Sequence, residues 1–143
     1  MSTPVIVSQL QTMFQQLNAS NCHSGLIEAV YAPNMVFEDS FHRIEGTDAF
    51  CDYCANLYQN LSYCRFNFER CISQNNEAML TWTMDYAHPR LRGGKNISVE
   101  GASLLRFDDK ITYHRDFFDG GKLLYEHVPV LGSVIRKLKS RLA

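Results

Sequence analysis

The hydrophobic pattern changes its period once along the chain, after Leu61. Before that point apolar residues recur at the spacing of amphipathic helices, and after it they alternate with polar residues, as in β-strands. The alternating half predicts four long strands, at 62–73, 77–87, 96–107 and 110–119. Their connections are QNN, HPRLRGG and a tight corner at Asp108–Asp109, which favours an antiparallel meander.

The first half of the chain predicts helices and a pair of short strands. Helices are predicted at 5–17, 26–31 and 47–61, and short strands at 35–39 and 41–46. Helices grouped before antiparallel strands indicate an α+β fold, in which a curved, mostly antiparallel sheet wraps around the N-terminal helices. The remaining C-terminal residues predict two helical pieces, interrupted near Pro129 and Gly132.

Composition limits the classes of protein to consider. With 143 residues, 45% hydrophobic and 20% charged, the chain predicts a single globular domain over 1–143. A net charge of −1 argues against a nucleic-acid partner. No apolar run reaches the roughly 20 residues of a membrane span, and the N-terminus lacks the pattern of a secretory signal. We therefore expect a cytoplasmic protein.

The five cysteines predict neither a disulfide framework nor a metal centre. Cys51 and Cys54 have a metal-like spacing, but a structural zinc site needs a second pair. Cys64 and Cys71 are seven residues apart in a predicted strand, so they point to opposite faces. We expect buried thiols, with no metal and no cofactor.

The last predicted strand, ITYHRDFFD (111–119), is interrupted by ionisable residues. Strand alternation places Thr112, His114, Asp116 and Phe118 on one face, and Tyr113, Arg115, Phe117 and Asp119 on the other. Each face therefore carries charged or titratable groups in a segment rich in strand formers. A carboxylate in the centre of a half-buried strand is costly unless it is paired or used, which makes Asp116 the leading candidate for a functional residue.

The order of elements resembles the nuclear transport factor 2-like superfamily, and in particular its SnoaL-like branch. YAPNMVFED followed by IEGTDAFCDYCANL is similar to a segment of the ketosteroid isomerases. GKNISVEGASLLRF and DKITYHRDFFD resemble the SnoaL-like and limonene-epoxide-hydrolase pattern, which ends in an aromatic strand of the form W-R-D-Y-F-D. The resemblance implies a cystatin-like, cone-shaped domain with a pocket between the bent sheet and its helices.

The resemblance also implies a set of pocket residues. Asp116 and Asp85 match the two carboxylates of the epoxide hydrolases, and Asp39 matches the general base of the isomerases. Alternation around Asp85 then puts Met79, Thr81 and Thr83 on the pocket face of its strand. The expected catalytic residues are Asp116, Asp85, Asp39 and His114, and the expected substrate-binding residues are Phe14, Phe37, Ser103 and Phe118.

The chain departs from both catalytic patterns. The arginine of the epoxide hydrolases is Thr83 here, and their tyrosine and asparagine are Phe37 and Asp39. The oxyanion-hole tyrosine and aspartate of the isomerases correspond to Met13 or Phe14 and to Ser103. Two hypotheses therefore stay open: an isomerase, cyclase or hydrolase that uses aspartates on a small apolar substrate, and a non-catalytic binding or assembly domain.

Each candidate also has a structural alternative. Asp39 suits a turn, Asp85 a solvated strand end, and His114 a hydrogen-bonded sheet histidine. A homodimer is expected through an outer face made of Trp82, Met84, Tyr86, Leu104 and Tyr113. The basic, amphipathic C-terminal helix is expected to pack across the pocket mouth or the dimer, with a membrane-surface role as the alternative.

Overall fold

One curved, open sheet forms the body of the protein. The computed structural model describes residues 3–123 and 131–142. The strands are β1 (Tyr31–Glu38), β2 (Arg43–Glu45), β3 (Tyr63–Gln74), β4 (Glu77–Ala87), β5 (Ile97–Phe107) and β6 (Ile111–Phe118). Their order in the sheet is β2-β1-β6-β5-β4-β3, and only the β1–β6 pair is parallel. The predicted α+β fold with a mixed, mostly antiparallel sheet is confirmed.

The helices of the described chain are α1 (Val5–Gln16), α2 (Thr47–Asn60), α3 (Gly120–Leu123) and α4 (Leu131–Arg141), with one 3-10 turn at Arg92–Gly94. α1 and α2 cover the concave face of the sheet. Their buried side chains, such as Leu10 and Phe50, form one core with Leu80, Leu105 and Ile111 of the strands. Burial of this apolar surface is the main stabilising contribution to the fold.

The predicted helix at 26–31 is wrong. Residues 19–30 form turns, and Tyr31 already pairs with Ile111 as the first residue of β1. One helix-like turn remains, closed by the bonds from Ala29 N to Gly25 O and from Tyr31 N to Ile27 O. The spacing of apolar residues correctly indicated a buried side chain, since Ile27 is buried. A single helical turn is enough to bury Ile27, so no helix is needed.

The hairpin between β3 and β4 sets the register of the long strands. Asn75 and Asn76 have φ values of 49° and 61°, so both central residues of the two-residue turn are left-handed. This is the backbone of a type I′ turn, which asparagine tolerates and which matches the twist of the flanking strands. Gln74 and Glu77 pair directly on either side of the turn.

The phase of β4, that is, which of its two alternating sets of side chains faces the concave side of the sheet, is opposite to the expected one. Trp82 pairs with Gly101, and Thr83 pairs with Glu100. Because directly paired residues share a face, Trp82, Met84 and Tyr86 lie on the concave face, and Met79, Thr81, Thr83 and Asp85 lie on the convex face. The large apolar side chains fill the interior, where burial favours them most; the resemblance at Asp85 had suggested the reverse.

This phase also corrects the predicted dimer surface. Trp82 and Tyr86 are buried inside the domain, so they cannot form an outer contact. Leu104 and Tyr113 remain on the convex face, opposite the concave Ser103 and His114. The homodimer itself stays a prediction.

On β6 the predicted faces agree with the structure, and Ser103 of β5 lies on the concave face, as its predicted place in the pocket requires. Ser103, Leu105 and His114 are buried, whereas Glu100 and Arg106 are exposed. Arg115 and Asp119, which alternation places on the same face, form no ion pair with each other among the described residues. Arg115 instead lies 3.5 Å from Glu38, and Asp119 pairs with Lys139.

The C-terminal helix α4 leaves its apolar stripe open. Leu138 is 57% exposed and Val134 is 50% exposed, so the described part of the domain does not cover the stripe. The expected packing across the pocket mouth is therefore not seen among the described residues, and packing against a second subunit stays a prediction. Gly132 lies inside the helix rather than at a break, and the interruption predicted near Pro129 falls outside the described residues. None of the helices in the described ranges has the length and apolarity that a membrane span requires.

Candidate functional site

A cavity of about 270 Å³ lies between the concave face of the sheet and the helices. Its wall is mainly aromatic and aliphatic, and both the helices and the strands contribute aromatic rings. They include Phe14 of α1, Phe37 of β1, Tyr53 and Tyr58 of α2, Trp82 of β4 and Phe118 of β6. Asp39 and Asp116 are the carboxylates among the described lining residues. Such a pocket has the form of a small-molecule site with few polar groups.

Asp116 is held by two hydrogen bonds to the same oxygen. The hydroxyl of Ser103 donates to Oδ1 of Asp116 at 2.5 Å, and Nε2 of His114 lies 2.6 Å from the same atom. Ser103 and Asp116 are directly paired across β5 and β6, which explains their contact. His114 lies two residues earlier on β6, so it shares the concave face with Asp116.

Two further side chains fix the hydrogens of this cluster. The hydroxyl of Tyr31 lies 2.7 Å from Nδ1 of His114. Burial raises the pKa of Tyr31 well above its usual value, so the phenol keeps its proton and can donate it to Nδ1 of His114. In the tautomer that accepts at Nδ1, the ring hydrogen is on Nε2 and points at Asp116.

The other end of the cluster is Trp82. Its Nε1–H donates to Oγ of Ser103 at 2.9 Å. An indole is only a donor, so Ser103 must accept from Trp82 and is left with one proton, which it gives to Asp116. Hydrogen bonds thus connect Trp82, Ser103, Asp116, His114 and Tyr31 in one continuous group, hereafter the polar cluster.

The second oxygen of Asp116 is open. Asp116 lines the cavity with a side chain that is 17% exposed, and Oδ2 has no hydrogen-bond partner among the described residues. One oxygen is therefore anchored in the wall while the other is available to a molecule in the cavity. A carboxylate held in this way can accept a proton or a hydrogen bond at a fixed position.

Asp39 also lines the cavity, but its oxygens are occupied. Its side chain is 6% exposed, and Oδ1 accepts from the backbone N–H groups of Phe41 at 2.8 Å and His42 at 2.7 Å. The hydroxyl of Tyr53 donates to Oδ2 at 3.4 Å. Burial, and then the negative charge of Asp39, raise the pKa of Tyr53, which keeps that proton in place. The sequence left two interpretations of Asp39 open, a turn residue and a cavity residue, and in the structure its side chain is both.

Asp85 does not join the other predicted residues. It lies on the convex face, where the amide of Asn96 donates to Oδ1 at 3.1 Å and the amide of Asn67 donates to Oδ2 at 3.2 Å. Hydrogen bonding to Asn96 first, then to Ser98 and to a smaller extent to Asn67, holds the pKa of Asp85 below its usual value. The predicted position of Asp85 on the pocket face is wrong, because the register of β4 places its side chain on the convex face.

The predicted substrate-binding residues divide into two groups. Phe14, Phe37 and Phe118 line the cavity. Ser103 is buried in the sheet and meets the site through Asp116. Their roles in binding, like the catalytic roles of Asp116, Asp39 and His114, stay predictions.

Sequence reasoning missed Tyr31, Tyr53, Tyr58 and Trp82. Trp82 was assigned to the wrong face, although its size alone favours burial. The residue that makes room for Trp82 on the concave face is Gly101, because a Cβ at that position would lie 2.3 Å from Cη2 of Trp82. The indole therefore packs directly on the backbone of β5, and this close approach requires glycine at 101.

The described residues contain no group of three or more His, Cys, Asp or Glu side chains that could hold a metal ion. The five cysteines are free thiols, and burial raises the pKa of Cys64 to about 12.

Comparison with known proteins agrees with this architecture. The profile of the SnoaL-like domain family matches residues 10–114. No significant match to a curated protein was found.

Solved structures give a consistent picture of the fold. A hypothetical protein with a ketosteroid isomerase-like fold from Catenulispora acidiphila, solved in complex with trimethylamine, superposes with a TM-score of 0.74 at 14% identity, over 86% of this chain and 92% of that one. A proposed SnoaL-like polyketide cyclase from Shewanella putrefaciens gives 0.69 at 17% identity, over 85% and 95%. An NTF2-like protein of unknown function from Burkholderia pseudomallei gives 0.71 at 11% identity, over 85% and 96%.

Proposed function

Because the chain belongs to the SnoaL-like domain family, we propose that it is an enzyme of the isomerase, cyclase or hydrolase type. Its substrate is a small apolar molecule, and Asp116 exchanges a proton with it. The observation that carries this proposal is the open oxygen of Asp116 in an apolar, aromatic cavity. The fold alone would not assign a reaction, since this architecture carries many functions.

The polar cluster supports the role of Asp116 as a proton acceptor. Ser103 and His114 both donate to Oδ1, so the carboxylate is oriented with Oδ2 toward the substrate. Positioned acid–base groups of this kind contribute roughly 10²–10⁴-fold to a rate. His114 is hydrogen-bonded to Asp116 on one side and to Tyr31 on the other. It can therefore stabilise the carboxylate, while Tyr31 fixes the orientation of the imidazole ring.

A reaction-independent probe tests this proposal. The compound 5-nitrobenzisoxazole opens when a base removes the hydrogen on its ring carbon. The N–O bond then breaks, the oxygen keeps the electron pair, and a coloured cyanophenolate forms. We expect the wild-type protein to accelerate this opening, and Asp116→Asn to lower the rate by about 100-fold or more.

Asp85→Asn is the matched control, because it makes the same change on the convex face of the same sheet. We expect it to retain the wild-type rate. Circular dichroism of both variants checks that the fold is kept. Equal rates for wild type and Asp116→Asn, or equal losses in both variants, would contradict a catalytic role for Asp116.

A second candidate function is non-catalytic binding of the same class of small apolar molecule. It is supported by Asp39, whose oxygens are engaged by two backbone N–H groups and Tyr53, so one carboxylate alone is open in the described wall. Under this alternative the probe binds and changes the fluorescence of Trp82, the single tryptophan of the chain, but its ring does not open.

A further inference from the structure

The C-terminal helix α4 carries an apolar stripe that the described domain leaves open. Because successive residues are rotated by about 100°, its apolar side chains fall within an arc of roughly 100° of the helix. Four of them are substantially exposed: Leu131 by 44%, Val134 by 50%, Leu138 by 57% and, just after the helix, Leu142 by 88%. Single exposed apolar residues are ordinary on a protein surface, but a continuous stripe of them indicates a contact.

The contacts between α4 and the domain use another side of the helix. Gly132 is buried, and Nζ of Lys139 donates to Oδ2 of Asp119 at 2.5 Å. Gly132 and Lys139 lie close together on the helix surface, about 100° from the centre of the apolar stripe. The helix therefore has one side for the domain and a different side on which the stripe stays accessible.

The charge of α4 has a single sign. Its sequence, LGSVIRKLKSR, contains four of the 14 Lys and Arg residues of the chain and no Asp or Glu. All four basic residues are exposed. Lys139 and Arg141 border the apolar stripe, one on each side, and Arg136 and Lys137 lie farther round the helix. The stripe thus has a basic margin along both of its edges.

An apolar stripe with basic margins is complementary to an anionic lipid surface. A helix of this kind lies in the plane of the membrane interface, with its apolar side chains at the boundary between head groups and acyl chains. Lysine and arginine beside the stripe can bury their aliphatic stems there and extend their charged ends to the lipid phosphates. Both parts of the α4 surface are then used.

Other partners would use only one part of this surface. Two copies of α4 packed through their stripes would bring their basic margins together, and α4 has no carboxylate to pair with them. Like charges beside a helix–helix contact oppose association. A nucleic acid would neutralise the basic residues but leave the leucines in water.

We propose that α4 is a membrane-surface anchor, which docks the protein on a bilayer that contains anionic lipids. The apolar stripe enters the boundary of the acyl chains, and the basic margins contact lipid phosphates. The binding is reversible, because one short amphipathic helix buries little apolar area. This inference concerns a surface outside the cavity and does not depend on the proposed function.

Sedimentation of the full chain with unilamellar vesicles tests the anchor. We expect the protein to bind vesicles made of equal parts of phosphatidylcholine and phosphatidylglycerol. Binding to vesicles of phosphatidylcholine alone should be at least about tenfold weaker, because the basic margins then lack a negative surface potential. An increase in salt from about 0.1 M to about 1 M should weaken binding to the anionic vesicles, because it screens these charges.

Leu138→Gln tests the apolar stripe. Glutamine has nearly the helix propensity of leucine but does not enter the acyl region, so binding to the anionic vesicles should fall by about tenfold. Ile72→Gln is the matched control, because Ile72 is 54% exposed but belongs to β3. We expect Ile72→Gln to bind as wild type does.

Lys137→Gln tests the charge of α4 without changing the stripe, and it should weaken binding by about fivefold. Its control is Lys95→Gln, which removes an exposed lysine from the connection between β4 and β5 and should change binding by less than about 1.5-fold. Circular dichroism checks that all four variants keep the fold.

The outcomes decide between the possible partners of the stripe. Wild type that sediments with neither kind of vesicle, or equally with both, would contradict the anchor, as would equal losses for Leu138→Gln and Ile72→Gln. Light scattering should give the same mass for wild type and Leu138→Gln. If wild type is instead a dimer that Leu138→Gln dissociates, the stripe is a subunit contact and the anchor is wrong. Its failure would leave the cavity and the proposed function unchanged.

Discussion

Asp116 and Asp85 lie in the same sheet, two strands apart, and differ in the face that they occupy and in how their oxygens are held. Both oxygens of Asp85 accept amide hydrogens, one from Asn96 and one from Asn67. Asp116 takes both of its hydrogen bonds at Oδ1 and leaves Oδ2 open toward the cavity. A carboxylate with both oxygens bonded to neutral amides is a structural group, whereas one that is anchored at a single oxygen can still act on a ligand.

The comparison extends to the two faces around these residues. On the concave face a hydroxyl-to-carboxylate bond joins Ser103 to Asp116, and on the convex face an equally short one joins Thr83 to Glu69. The first is enclosed by protein and the second is exposed to solvent. The same chemical contact should therefore contribute much more to stability on the concave face, because an unpaired group there cannot turn to water.

The largest expected effect concerns the residue that lets Trp82 lie on the concave face. In Gly101→Ala the new methyl group would lie 2.3 Å from the indole, so Trp82 must move into the cavity. We expect a loss of about 3 kcal/mol in the free energy of unfolding, measured by urea denaturation. Ala102→Val, the adjacent position on the convex face, should change it by less than about 0.5 kcal/mol. Similar values for the two substitutions would show that Trp82 has another place to pack.

A smaller effect is expected from Ser103→Ala. This substitution leaves the indole N–H of Trp82 unpaired and removes one donor from Asp116, so the free energy of unfolding should fall by about 2 kcal/mol. Thr83→Val removes the corresponding hydroxyl from the exposed pair on the convex face, and its effect should stay within about 0.5 kcal/mol. Both values come from the same denaturant titration. A loss for Thr83→Val as large as that for Ser103→Ala would contradict the difference between the faces.

The meander, α2 and the alternation of β6 could be predicted because they depend on local patterns, whereas the inward face of β6 was implied by the family resemblance at Asp116. The alternation in ITYHRDFFD, a two-residue turn at Asn75–Asn76 and an amphipathic stretch each lie within about a dozen residues. The polar cluster depends on longer range, since Tyr31 and His114 are 83 positions apart. No periodicity in either segment indicates that contact.

The phase of β4 was the main error, and its cause is physical. Alternation divides a strand into two sets but does not say which set faces inward. That choice depends on the register with β5 across the connection 88–96, and on the room that Gly101 provides for Trp82. The hydrophobic difference between Trp82 and Thr83 indicated the correct phase, whereas the resemblance at Asp85 favoured the wrong one.

The smallest effect, and the finest test of the comparison, is the pH dependence of Asp85→Asn. Hydrogen bonds from Asn96, Ser98 and Asn67 lower the pKa of Asp85 in the folded protein. Its ionised form is therefore bound more favourably in the folded state, and this contribution is present above the unfolded pKa of about 3.9 and lost as the pH falls through the lower folded value.

At pH 7 we expect Asp85→Asn to melt about 1 °C below wild type, since the site is near the surface and solvent screens the interaction. At a pH below the folded pKa the two proteins should melt together, because wild-type Asp85 is then protonated and neutral, like the amide. Thermal melts at both pH values check this, with Thr83→Val as a convex-face variant whose difference from wild type should not depend on the charge of residue 85. A difference between wild type and Asp85→Asn that grows on acidification would mean that the carboxylate is destabilising in the fold, and the contrast with Asp116 would then have to rest on geometry alone.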